Sequence, residues 1–316
     1  MRWIDLHCDV LSKLMNEPRL SFDREGQLDV TLPGLRKGGV KLQTFAIYIS
    51  QELGEPNFSH ILKEVDLYHS HILSHPQMTP IVTREDLEQL FTSNARIGAM
   101  LTLEGADGLD ADLMCLRTLY RLGVRAVGIT WNSANWAADG IMEPRGGGFT
   151  RKGRELVREC NRLGMVLDVS HLSENGFWEL LQISSKPIIA SHSNAYSLCP
   201  HPRNLKDEQI KAIIRTGGRM GITFVPWFVK AKGKVRAVDV LEHIDHVCSL
   251  GGEKQIGIGS DWDGIDVWIE GLERSESLAE FYELLQQHYS EELVERIVWR
   301  NMYEFLSDQL PIGQQG

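Results

Sequence analysis

Ile4-Asp5-Leu6-His7-Cys8-Asp9 stands near the start of this 316-residue chain, and the reading of everything downstream turns on it. Its apolar lead reads as a short buried strand that runs into His-x-Asp. On an extended backbone, residues two apart point to the same side. His7 and Asp9 can therefore aim at one point, with Cys8 turned the other way into the core. An imidazole and a carboxylate converging there make half of a site for a borderline cation such as zinc. Three residues decide little alone, because a strand-end histidine bonded to a nearby aspartate has the same spelling.

The pattern of this opening recurs. Short apolar runs occur at 3–6, 41–49, 97–103, 126–130, 165–169, 187–190, 220–225 and 256–259. Between them, amphipathic stretches at 60–73, 84–91, 111–122, 151–163, 173–183, 205–216 and 238–250 predict helices, and 276–287 and 291–306 close the chain. Thr83 and Ser173 are placed to cap helix starts, and Gly123, Gly164, Gly217 and Gly251 follow helical stretches where a left-handed residue is wanted. Near-continuous apolar strands separated by helices mean a parallel sheet covered on both faces. Eight such units predict a (β/α)8 TIM-like barrel over a single domain, 1–316, elaborated by loops at 16–39 and 132–149. A doubly wound open sheet would bring a glycine-rich phosphate loop after the first strand, and His7-Cys8-Asp9 occupies that place.

Composition narrows the class. Hydrophobic residues make up 42% and charged residues 24%, the balance of a globular protein with ample core. A net charge of −10 argues against a nucleic-acid partner, which needs a clustered basic face. No apolar window reaches a membrane span, and Met1-Arg2-Trp3 opens without an apolar leader segment. The five scattered cysteines lack CxxC spacing, which fits reduced thiols and a cytoplasmic location.

A barrel gathers the C-terminal ends of its strands around one mouth, where active sites sit. Five of the runs close on ligand-type side chains: His7 and Asp9 after the first, Glu104 after the third, His171 after the fifth, His192 after the sixth and Asp261 after the eighth. Most other histidines, His60, His69, His71, His75, His243, His246 and His288, fall in helical stretches as solvated or packing groups, with His201 left open in a loop. His71 and His75, four apart, could chelate a surface ion but lack an evident third ligand. Six ligand-type groups exceed what one tetrahedral zinc takes. Two metals sharing a carboxylate is the natural solution, and such a pair activates water and polarises a carbonyl. Asp263 competes with Asp261, but its place beside Gly264 suits a turn.

His7-x-Asp9, Leu103-Glu104-Gly105, Asp168-Val169-Ser170-His171, Ser191-His192-Ser193-Asn194-Ala195, Pro202-Arg203-Asn204 and Gly259-Ser260-Asp261-Trp262-Asp263-Gly264, in this order, resemble the membrane (renal) dipeptidases, peptidase family M19, within the amidohydrolase-like metallo-barrels. The resemblance spans nearly the whole chain, out to Arg300-Asn301. It implies a zinc-dependent dipeptidase acting on dipeptides with a free C-terminal carboxylate by metal-bridged hydroxide attack. Its two divalent ions, Zn2+ by the same resemblance, would be held by His7 and Asp9 on one side and by His171 and His192 on the other, with Glu104 bridging. Asp261 would handle the proton of the attacking water, and Arg203 would pair with the substrate carboxylate. A homodimer fits the resemblance. Trp131 stands where better-known members carry a substrate-contacting histidine, and an indole can donate a hydrogen bond but not carry a proton. The closing Pro311-Ile312-Gly313-Gln314-Gln315-Gly316 shows no lipid-anchor signal. Two other readings keep the barrel: a related binuclear amidohydrolase acting on another small amide, lactam or acyl-amino acid, and a metal-stabilised binding subunit.

Overall fold

A computed structural model describes residues 1–50, 54–93 and 95–313; Gln314-Gln315-Gly316, part of the anchor reading, lie outside them. The strands are β1 (Trp3–Asp5), β2 (Val40–Tyr48), β3 (Met78–Pro80), β4 (Ile97–Glu104), β5 (Val124–Gly128), β6 (Val166–Asp168), β7 (Ile189–Ala190), β8 (Arg219–Ile222) and β9 (Ile256–Ile258). They pair in parallel in the order β2-β1-β9-β8-β7-β6-β5-β4, and a β2–β4 pairing closes the ring. Every apolar run supplies one barrel strand. β3 adds to the expectation: it pairs with the first residues of β4, and β5 takes over from Leu101.

Local chemistry sets the helix ends. Thr83 and Asp86 form a reciprocal capping box, and Ser173 Oγ accepts from the Gly176 N–H. All four glycines assigned to helix C-termini have positive φ. The segment 16–39, expected as loop, contains a helix, Leu32–Gly38, capped by Thr31 and ended by left-handed Gly39. Pro33 in its first turn suits a helix start, a signal that the expectation of a loop passed over. The last helical stretch is not one helix: Glu291–Glu295 and Asn301–Gln309 flank a wider π turn at Arg296–Arg300.

Period-two alternation along β4 sends Leu101 and Leu103 to the core beneath the helices and Met100 to the barrel interior. Thr102 and Glu104 share the Met100 side. Met302, Phe305, Leu306 and Leu310 of the last helical segment pack against Ile4, Leu42 and Met100 and close the N-terminal end of the barrel. Asn301 fastens that plug, its Nδ2 donating to the carbonyls of Glu253 and Ile256, each at 2.8 Å. The C-terminal end is left for the site. No helix among the described residues is long and apolar enough to cross a membrane.

Candidate metal centre

β1 ends at Asp5, two residues before His7, so strand alternation alone does not aim His7 and Asp9. Residues 6–9 run on beside the segment after β9 instead. The Leu6 N–H donates to Ile258 O, the Asp261 N–H to His7 O and the Asp9 N–H to Trp262 O, and Cys8 bridges Trp262. Cys8 is buried, as expected, and its thiol donates to Thr44 O. This lacing brings the first and last strand ends together.

Glu104 sits in the middle. Its Oε2 lies 3.4 Å from His7 Nε2, which is 3.3 Å from Asp9 Oδ2 and 3.8 Å from Asp261 Oδ1. Its Oε1 lies 2.9 Å from His171 Nε2 and 3.5 Å from His192 Nε2. The two oxygens of one carboxylate thus face two donor sets. All six residues singled out at strand ends meet here, drawn from five strand ends.

The donor set fits cations. His171 Nδ1 donates to Asn132 Oδ1 at 2.8 Å, because an amide oxygen can only accept. That fixes the tautomer, and the bare lone pair of His171 Nε2 points at His192 Nε2, 2.9 Å away. His192 Nδ1 is in turn 2.8 Å from Ser191 Oγ. His7 Nε2 and Asp9 Oδ1 are buried with no hydrogen bond of good geometry. Inward-facing imidazole nitrogens and carboxylate oxygens, with His171 and His192 anchored from behind by hydrogen bonds, suit a metal shell. His7, Glu104 and His192 form one group close enough to share an ion, and His7, Asp9 and Asp261 another.

Titration behaviour agrees. Burial opposes charge on His7, but Glu104 and Asp9 outweigh it and hold the ring well above its usual range. Burial also works against ionised Glu104, and His7 and His171 override it, keeping the carboxyl well below its usual range. Burial, with Arg203 beside it, depresses His171 to about 4. His192 is lowered by burial, His7 and Arg203. Asp261 is pushed up to about 7 by burial and by the charges of Asp9 and Glu104, with His7 and Arg203 opposing. The carboxylates demand positive charge, and the two neutral imidazoles offer lone pairs.

The centre opens into a cleft of about 770 Å³ whose lining includes Tyr48, Trp131, Arg203, Trp227 and Phe228. Arg203 is itself buried; its guanidinium donates to His192 O at 3.1 Å and lies 5.4 Å over the Phe228 ring, while Nε has no partner. Trp131 packs 5.3 Å from Tyr48 and 6.0 Å from His171, ring to ring. His201 packs against Phe228, ring centroids 4.5 Å apart and tilted by 38°, and lines the cleft. His75 pairs with Asp23 at 3.1 Å and joins no metal group among the described residues. Asp263 turns away from the centre toward backbone N–H groups of residues 29 and 30. Asn132 and Ser191 are the orienting residues that the reading of strand ends passed over, although both stand at such ends.

The sequence profile of the membrane dipeptidase family (peptidase family M19) matches residues 1–309. A Klebsiella pneumoniae protein, described as uncharacterized and encoded in the pqqA 5′ region, is 35% identical over 221 residues, covering 65% of this chain and 80% of that one. An uncharacterized dipeptidase of Schizosaccharomyces pombe is 31% identical over 296 residues, 85% of this chain and 71% of its own. Among solved structures, a metallo peptidase from Rhodobacter sphaeroides liganded with a phosphinate mimic of the dipeptide L-Ala-D-Ala superposes with a TM-score of 0.89, at 26% identity over 98% of this chain and 99% of that one.

Proposed function

Because this chain belongs to the membrane dipeptidase family, peptidase family M19, we propose that it is a metal-dependent dipeptidase that cleaves dipeptides carrying a free C-terminal carboxylate. The observation that carries the reading is Glu104, whose two oxygens face His7 and Asp9 on one side and His171 and His192 on the other. Those five residues would hold two divalent ions, zinc by the mixture of imidazole and carboxylate donors. Held there, such ions would supply a Lewis acid and lower the pKa of water toward neutrality.

The protein's own groups do the rest. Asp261 accepts a proton from the attacking water and returns it to the leaving amine. Arg203 receives the substrate carboxylate. Its unpartnered Nε–H, buried beside the centre, calls for an anion, and its bond to the His192 carbonyl holds it against the backbone of a residue of the centre. A carboxylate received there would favour dipeptides, whose C-terminus follows the scissile bond by one residue, over longer chains. Trp131 and Tyr48 wall the cleft, and Trp131 brings an indole where a histidine would bring a proton. The dipeptide mimic bound by the Rhodobacter sphaeroides relative supports including D-residues at the C-terminal position of the test panel. The five cysteines are unpaired, which supports a reducing compartment as part of the same proposal.

The experiment is metal analysis of the purified protein alongside turnover of L,L- and L,D-dipeptides. Two ions per chain and hydrolysis of at least one dipeptide are expected; a metal-loaded protein inert toward every dipeptide would refute the reading. The carboxylate clamp has its own test. Arg203→Met removes charge-assisted bonds, so KM for dipeptides should rise by about tenfold to a hundredfold. C-terminally amidated analogues should be far less affected, and an equal rise for both would point to another role for Arg203.

Orientation of the ligands is testable too. Asn132→Ala frees the His171 ring to rotate and to change tautomer, so metal affinity should fall by about tenfold to a hundredfold. Competition with a chromogenic chelator reads this directly. An unchanged affinity would show that the Asn132 bond does not orient the ligand.

A further inference from the structure

Asp261 and Asp263 both adopt left-handed backbone, with φ of 67° and 66°. That region is uncommon for non-glycine residues, although Asp enters it more readily than most, and two such residues within three positions mark a tightly specified turn. The same turn packs close beside the centre. A Cβ added at Gly264 would collide with Asp9 Oδ2 and Asp261 Oδ1, so the turn leaves no room for a side chain between it and the two carboxylates. A small displacement of this turn would move the group assigned to proton transfer.

The restraint comes from far along the chain. Asp263 Oδ1 accepts from the Asp29 N–H and Oδ2 from the Val30 N–H, each at 3.0 Å. In return, Asp29 Oδ2 accepts from the Asp263 N–H at 3.1 Å and from the Trp268 indole N–H at 2.8 Å. Asp29 is tied to the rest of the fold through its carbonyl, which accepts from the Ser275 N–H at 2.9 Å. We propose that Asp29 and Asp263 form a reciprocal clasp between the 29–30 segment and the 261–268 turn, and that this clasp positions Asp261 for proton transfer. Neither is a catalytic residue, since the carboxylate oxygens described are spent on backbone and indole N–H groups.

The bonding pattern separates this role from a simple need for negative charge. At position 29 both donors converge on one oxygen. Asn can supply that oxygen and turn its amide nitrogen away, so Asp29→Asn keeps the clasp. At position 263 the two donors use different oxygens. Asn must turn an NH2 toward one of the N–H groups, so Asp263→Asn loses a bond. A requirement for charge would make the two substitutions equally damaging.

The inference rests on the proton-transfer role proposed for Asp261. Its test uses metal-loaded Asp29→Asn, Asp29→Ala, Asp263→Asn and Trp268→Phe proteins, with three readouts: metal content, kcat and KM on a dipeptide the unaltered protein cleaves, and backbone hydrogen exchange of peptides spanning 259–268. Asp29→Ala and Asp263→Asn should lower kcat by about tenfold to a hundredfold at unchanged metal content and similar KM, and should speed exchange in that segment. Asp29→Asn should stay within about twofold of the unaltered protein on every measure. Trp268→Phe, which removes one bond and leaves both carboxylates, should fall between and serves if Asp263→Asn does not fold. The clasp is overturned if Asp29→Ala exchanges and turns over like the unaltered protein, or if Asp29→Asn falls as far as Asp29→Ala. An unaltered protein that cleaves no dipeptide would remove the dipeptidase reading, and the exchange measurement would still decide the clasp.

Discussion

Replacing Glu104 by alanine should abolish both metal retention and dipeptide hydrolysis. Among the described residues, Glu104 is the side chain whose oxygens face both donor sets, at 3.4 Å from His7 and 2.9 Å from His171. Its removal takes the shared carboxylate from both donor sets, leaving His171 with His192 on one side and His7 with Asp9 beside Asp261 on the other, so neither keeps its bridging ligand. Losing Lewis-acid stabilisation worth several kcal/mol translates to a fall of roughly a thousandfold or more in kcat/KM. Glu104→Gln is the sharper variant. Its amide keeps one acceptor oxygen, and its nitrogen cannot ligate, so metal content should drop toward one ion per chain. Elemental analysis after gel filtration checks both proteins. A Glu104→Ala protein that still carries its full metal complement would remove the bridge from the mechanism.

Asp261→Asn should cut kcat by roughly a hundredfold to ten-thousandfold, the range for a positioned general acid–base, while metal content and KM stay near those of the unaltered protein. The substitution is mild everywhere except in the chemistry. Asn tolerates the left-handed backbone that Asp261 adopts, φ 67°, nearly as well as Asp does. What it lacks is a proton site. Burial and the Asp9 and Glu104 charges push the Asp261 carboxyl up to about 7, where a group can both take and give a proton near neutrality. Cations bound beside it would pull it down and favour the carboxylate that begins the cycle. Single-turnover hydrolysis at saturating dipeptide is the measurement, and full activity in metal-loaded Asp261→Asn protein would remove this residue from proton transfer.

The strand ends were legible because β strands in a buried parallel sheet are written as apolar runs. A polar residue directly after such a run is conspicuous. Glu104 after 97–103 and His192 after 187–190 stand out for that reason, and the structure brings them to one centre. Helix ends were legible where capping chemistry is local, as at Thr83 and Gly164. The helix Leu32–Gly38 was harder to see, because seven residues carry too little periodicity to separate helix from loop. Asn132, which orients His171, was passed over although it also stands just after a strand. Its partner is 39 positions away, and no local spacing links them.

By itself the sequence determined the barrel, its strands in order, and which side chains stand at the mouth, because these depend on hydrophobic period and on position along each run. Which oxygen of Glu104 faces which histidine, how residues 6–9 lie along 258–262, and why Asp263 serves the turn were decided by tertiary structure alone. Each rests on contacts between segments up to 255 residues apart, such as the Ser260 N–H to Asp5 bond. Contacts of that reach come from closing the sheet into a ring, and the order of residues along the chain carries no local trace of them.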